Sequence, residues 1–84
     1  MPGSWSYQPY LTPYDSFIFY NAIGKHKDYF YTPVAVAKQI VNGTNYRFIC
    51  IAEPQQENLS AHFAVADIYK PISGEPYVTN ITVL

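Results

Sequence analysis

The chain has 84 residues, of which 49% are hydrophobic, and carries five basic against six acidic side chains for a formal net charge of −1. This length makes a single domain, one that buries only about 60% of the surface its unfolded form exposes, while the apolar fraction argues against disorder. The balanced charge excludes a nucleic-acid surface, which needs a clustered excess of Lys and Arg, and no apolar run approaches the ~20 residues that cross a bilayer.

Residues 1–11 hold Pro2, Gly3, Ser4, Ser6 and Pro9, with Trp5, Tyr7 and Tyr10 between them. They read as an extended, unpaired arm, whose aromatics either pack back on the body or are presented to a partner. A helix-start signal follows in Thr12-Pro13-Tyr14-Asp15. Thr12 can cap, Pro13 suits the first helical position, and Asp15 can reach back to the cap amide. The interior, with Phe17, Ile18, Phe19 and Tyr20, leans toward strand. The end signals favour a helix over 13–23, closed by Gly24. Lys25-His26-Lys27 is the one basic cluster, and it reads as a solvated loop after that helix.

Residues 28–32, with the aromatics Tyr29-Phe30-Tyr31, read as a join. From Pro33 onward the chain looks like sheet. Val34–Val41 is a long strand, and Asn42-Gly43 is a hairpin signal because both residues tolerate positive φ. Asn45–Ala52 is a second strand, 53–60 a polar loop, Ala61–Tyr69 a third strand, 71–76 a turn, and Tyr77–Leu84 a fourth strand. Sequential strands pair with their neighbours. The expected fold is therefore α+β, with one helix on an antiparallel meander of four strands, or five if the arm joins.

Catalytic constellations are not apparent. Cys50 and His62 form a conceivable thiol–imidazole pair, but both fall inside predicted strands, where a cysteine behaves as a small hydrophobe. The acidic residues Asp15, Asp28, Glu53, Glu57, Asp67 and Glu75 are dispersed, so no carboxylate pair is suggested. The histidines and the cysteine lack the spacing of a metal site. The expectation is a non-enzyme with no cofactor and no metal. A single cysteine allows no internal disulfide, and Met1-Pro2-Gly3-Ser4-Trp5 has no basic-plus-apolar leader. A cytoplasmic protein is expected, in which the sequons at Asn42, Asn58 and Asn80 are coincidental.

The segment Gln39-Ile40-Val41-Asn42-Gly43-Thr44-Asn45-Tyr46 carries more information. Gly43 lets the backbone turn sharply and pushes Ile40 and Val41 toward the tip. Apolar side chains at a hairpin tip cannot be buried by their own domain and mark a binding surface. The bland alternative is that Ile40 and Val41 are simply the last core residues of their strand. The pattern resembles the QxVxG hairpin of cystatins, after one helix and one strand. Met1-Pro2-Gly3 is similar to the start of the stefin branch of that family. Lys70-Pro71-Ile72 sits where stefins have a Leu-Pro second loop, and His62 where they often carry a histidine.

The resemblance implies a reversible, competitive inhibitor of papain-like cysteine peptidases. Arm and two hairpin loops would wedge into the active-site cleft without a covalent bond. Carried over by position, Gly3 is the arm hinge, Gln39, Ile40, Val41, Asn42 and Gly43 form the first loop, and Pro71 with Ile72 form the second. The partner is then a peptidase, with neither nucleic acid nor membrane, and the chain is a monomer unless two copies exchange helix and first strand. The chain departs from stefins in a shorter stretch between Pro13 and Gln39, an aromatic outer helix face and an incomplete second-loop pattern. The rival reading is a cystatin-fold interaction module that does not inhibit peptidases.

Overall fold

The computed structural model describes residues 3–56 and 59–84. Met1, Pro2, Glu57 and the Asn58 sequon lie outside the described residues. Among the described residues, five strands and one helix follow in the order β1 (Trp5–Gln8), α1 (Pro13–Ile23), β2 (Tyr29–Val41), β3 (Gly43–Pro54), β4 (His62–Lys70) and β5 (Tyr77–Val83). All five strands form one sheet in sequence order, and every neighbouring pair is antiparallel.

The helix starts where its capping residues direct it. Thr12 is extended at φ −79°, its Oγ1 accepts from the Asp15 amide at 3.1 Å, and Asp15 Oδ2 accepts from the Thr12 amide at 3.0 Å. Two of the orphan amides of the first turn are thereby satisfied, and Pro13 has none to leave unpaired. Ile18, Phe19, Ala22 and Ile23 recur on one face, as a 3.6-residue period requires, and are buried on the sheet. Tyr14, Phe17 and Tyr20 lie on the opposite, exposed face. The strand-like interior is thus overridden by tertiary packing of the first set. Gly24 does end the helix, but with right-handed dihedrals (φ −59°, ψ −17°), and the His26 amide closes the turn on the Ile23 carbonyl at 2.8 Å.

Two expectations are corrected. The arm is not unpaired: Trp5 to Gln8 pair with Gln39 to Val36 as an edge strand, the fifth that the expected fold left open. The segment around Tyr29-Phe30-Tyr31 is not a join but the start of β2, paired with Ala52 to Pro54. Pro33 does not interrupt this long strand, because the register shifts between Pro33 and Ala35, and a bulge is where a sheet accommodates a missing amide. The other strands run one or two residues beyond their expected limits or stop one short.

The core lies between helix and sheet. Phe19 meets Phe48 edge-on with centroids 4.9 Å apart, and Tyr46 stacks on Phe48 at 5.8 Å. Ala52, Ala64 and Ala66 are fully buried small residues that let the helix approach the strands closely. The other sheet face is not covered by the helix. One of its cross-strand rows runs Trp5, Gln39, Asn45, Tyr69 and Tyr77 from β1 to β5.

Candidate functional site

An antiparallel meander alternates its turns between two ends of the sheet. The β2–β3 hairpin and the β4–β5 loop therefore share one end, since Thr44 pairs with Lys70. The antiparallel pairing of β1 with β2 brings Gly3 to the same end, where its amide donates to the Ile40 carbonyl at 3.2 Å. Topology alone thus gathers three segments distant in sequence.

The hairpin tip is as tight as a chain allows. Val41 pairs with Gly43, leaving Asn42 alone between the strands. Gly43 has φ +105°, and a Cβ there would stand 2.6 Å from the Lys70 carbonyl oxygen and 2.7 Å from the Tyr69 hydroxyl. Glycine is required on both counts, for the dihedral and for the close approach of β4. The Tyr69 hydroxyl donates to the Asn42 carbonyl, tying the tip to β4.

Ile40 and Val41 are exposed, Ile40 by 62%, so they are not the last core residues of β2. Ile72 in the second loop is 76% exposed. Between the two loops runs an open groove lined by Ile40, Val41, Thr44, Pro71, Ile72 and, from the helix, Tyr14. Every residue carried over as a binding residue (Gly3, Gln39, Ile40, Val41, Asn42, Gly43, Pro71 and Ile72) therefore lies at one end of the molecule, while His62 pairs with Ala52 toward the other.

The bonding here is specific. Gln39 Nε2 donates to the Gly3 carbonyl at 2.7 Å, and Gln39 Oε1 accepts from Asn45 Nδ2 at 2.9 Å. Lys70 Nζ donates to the Pro71 carbonyl at 2.8 Å at the root of the second loop. Tyr46, beneath the groove, has its phenol pushed up to about 12 by burial, with Tyr14 and Asp15 adding to the effect. It stays neutral and presents no charge to the groove.

The sequence alone does not mark Tyr14 or Tyr69, and it marks Asn45 only as part of the Gln39–Tyr46 segment, with no role of its own. Tyr14 had a readable signal, an aromatic on the outer side of a helix's first turn. Asn45 and Tyr69 act by cross-strand geometry, which spacing does not encode. Cys50 and His62 are separated by environment. Cys50 is buried under the helix, burial pushes its thiol up to about 11, and Sγ donates to the Ala64 carbonyl at 3.5 Å. His62 is exposed at the start of β4.

No group of His, Cys, Asp or Glu suited to holding a metal ion occurs among the described residues, and none of their helices is long and apolar enough to cross a membrane. Comparison with protein-family models, with curated proteins and with solved structures found no match.

Proposed function

We propose that the chain is a stefin-like cystatin that inhibits papain-like cysteine peptidases reversibly and competitively. The observation that carries this reading is the convergence of Gly3, the Ile40–Gly43 tip and the Pro71-Ile72 loop on one end, with Ile40 and Ile72 exposed. A wedge entering a cleft needs apolar side chains its own domain leaves uncovered. It also needs stiffness, since ordering on docking subtracts from affinity. The one-residue turn at Asn42 and its tie to Tyr69 supply that stiffness. Gly3 and the first loop would take one side of the peptidase cysteine, and Pro71 with Ile72 the other. The chain's own thiol takes no part, being buried and protonated. A cytoplasmic setting belongs to this reading, in which a lone buried cysteine needs no disulfide partner.

The test is binding to papain whose active-site cysteine has been alkylated with a small group. A noncovalent wedge still binds such an enzyme, and an Ile40→Asp variant binds far less. Tight binding by the wild type that is indifferent to Ile40→Asp contradicts this docking mode.

A second reading is an interaction module without inhibitory activity. It draws on the exposed helix aromatics, Tyr14 and Phe17 being stacked at 6.2 Å. A binding defect confined to Phe17→Ser and Tyr20→Ser, with the tip variants unaffected, selects it. Size-exclusion chromatography separates both readings from a helix-exchanged dimer.

A further inference from the structure

The arm is held at its first described residue by more than strand pairing. Gly3 donates its amide to the Ile40 carbonyl and accepts at its own carbonyl from Gln39 Nε2. The second bond depends on which way the Gln39 amide faces. A primary amide has one accepting and one donating end. Asn45 Nδ2 donates to Gln39 Oε1 at 2.9 Å, and this leaves Nε2 directed at Gly3. Two strands contribute to one junction, Gln39 from β2 and Asn45 directly opposite it on β3.

The next arm residue in the ladder reinforces the arrangement. Trp5 pairs with Gln39, and its ring lies 4.7 Å from the Arg47 guanidinium carbon. Arg47 is fixed in turn by Asp67, with Nε 2.8 Å from Oδ1. The four-residue edge strand β1 thus leans on polar side chains of β2 and β3 rather than on a hydrophobic core.

We propose that Asn45 is a positioning residue: by fixing the Gln39 amide it clamps Gly3 to the first hairpin, so that arm and tip form one rigid edge before any partner binds. What that edge binds rests on the inhibitor reading, but the clamp is a property of the free chain. Its consequence is preorganisation. An arm already docked loses little conformational entropy when the edge enters a cleft.

The experiment uses Trp5, the sole tryptophan, whose emission and acrylamide quenching report on the arm alone. In Asn45→Asp the carboxylate only accepts hydrogen bonds, so Gln39 must turn its NH2 toward it and its oxygen toward the Gly3 carbonyl. The arm then releases. Trp5 quenching rises toward that of free tryptophan, and hydrogen exchange across Trp5–Gln8 accelerates about tenfold, with β4 exchange unchanged. Gln39→Glu attacks the same junction from the other side and gives the same result. The pair Gln39→Lys with Asn45→Asp restores docking, because an ammonium donates to both the carboxylate and the Gly3 carbonyl. Wild-type quenching and exchange in both single variants overturns the clamp and leaves strand pairing and the Trp5–Arg47 contact to hold the arm. Release of the arm in the variants, with a wild type that fails to inhibit papain, keeps the clamp and removes the inhibitor reading; a docked arm in an inhibitory Asn45→Asp variant does the reverse.

Discussion

Lys38 on β2 reaches across to Asp15 on the helix, its Nζ 2.6 Å from Oδ1, and Asp15 is fully enclosed. This pair ties the first turn of α1 to the strand that carries the hairpin. Burial pushes the Asp15 carboxyl up, and Lys38 with the Thr12 hydrogen bonds more than offsets this, so its pKa ends below the ordinary aspartate value. A carboxylate with a depressed folded pKa stabilises the fold above its unfolded pKa of about 3.9. That stability is lost as pH falls through the folded pKa. The thermal midpoint is therefore expected to hold steady above about pH 5 and to fall below about pH 4. Lys38→Met leaves an enclosed charge without its partner. It should cost toward the low end of about 3–5 kcal/mol at neutral pH, since Lys38 keeps some solvent contact. Without Lys38 burial is left to push the Asp15 carboxyl up, so the stability lost on acidification should shrink. Melting curves across this pH range check both, and an undiminished loss on acidification in Lys38→Met contradicts the assignment.

Gly43 makes a second prediction, in which fold and function are separable. Gly43→Ala forces a side chain into a positive-φ position against the Lys70 carbonyl, so strain of about 1–3 kcal/mol is expected in urea unfolding. Ile40→Asp changes an exposed side chain and should alter stability by about 0.5 kcal/mol or less. Equal destabilisation by the two contradicts the tip geometry.

Tyr69→Phe removes only the hydroxyl that holds the Asn42 carbonyl. A loss of about 0.5–1.5 kcal/mol is expected, the net worth of one hydrogen bond. Faster hydrogen exchange should be confined to the β2–β3 tip. Unchanged exchange there indicates that the tip is rigid without β4.

The Cys50 thiol is expected to react with a disulfide reagent only when the chain unfolds, because it is buried and its pKa is raised to about 11 by that burial. Its modification rate should rise with urea in step with global unfolding. Fast labelling of the native protein contradicts the placement of Cys50 beneath α1.

Much of this architecture is legible in local chemistry. Thr12, Pro13 and Asp15 announce the helix start, and Asn42-Gly43 announces the hairpin, because capping and positive-φ turns depend on neighbours in sequence. The arm's strand is legible only as an option. Trp5–Gln8 is four residues long, flanked by Gly3 and Pro9, and extended only because β2 offers its free edge. The strand over Tyr29–Tyr31 hides behind Pro33, which reads as a break until the bulge beside it is seen. At the candidate site, the order of Gly3, Gln39–Gly43 and Pro71-Ile72 could be read by resemblance. The Asn45–Gln39–Gly3 relay and the Tyr69 tie could not, since both join strands whose register only the folded sheet defines.

The most direct measurement of the central claim is a titration of active papain against a fluorogenic peptide, with the wild type and Ile40→Asp side by side. Competitive inhibition by the wild type, reversed on dilution and lost in a folded Ile40→Asp variant, is the predicted result. A folded, monomeric wild type that leaves papain fully active contradicts the inhibitor reading and leaves the interaction module in its place.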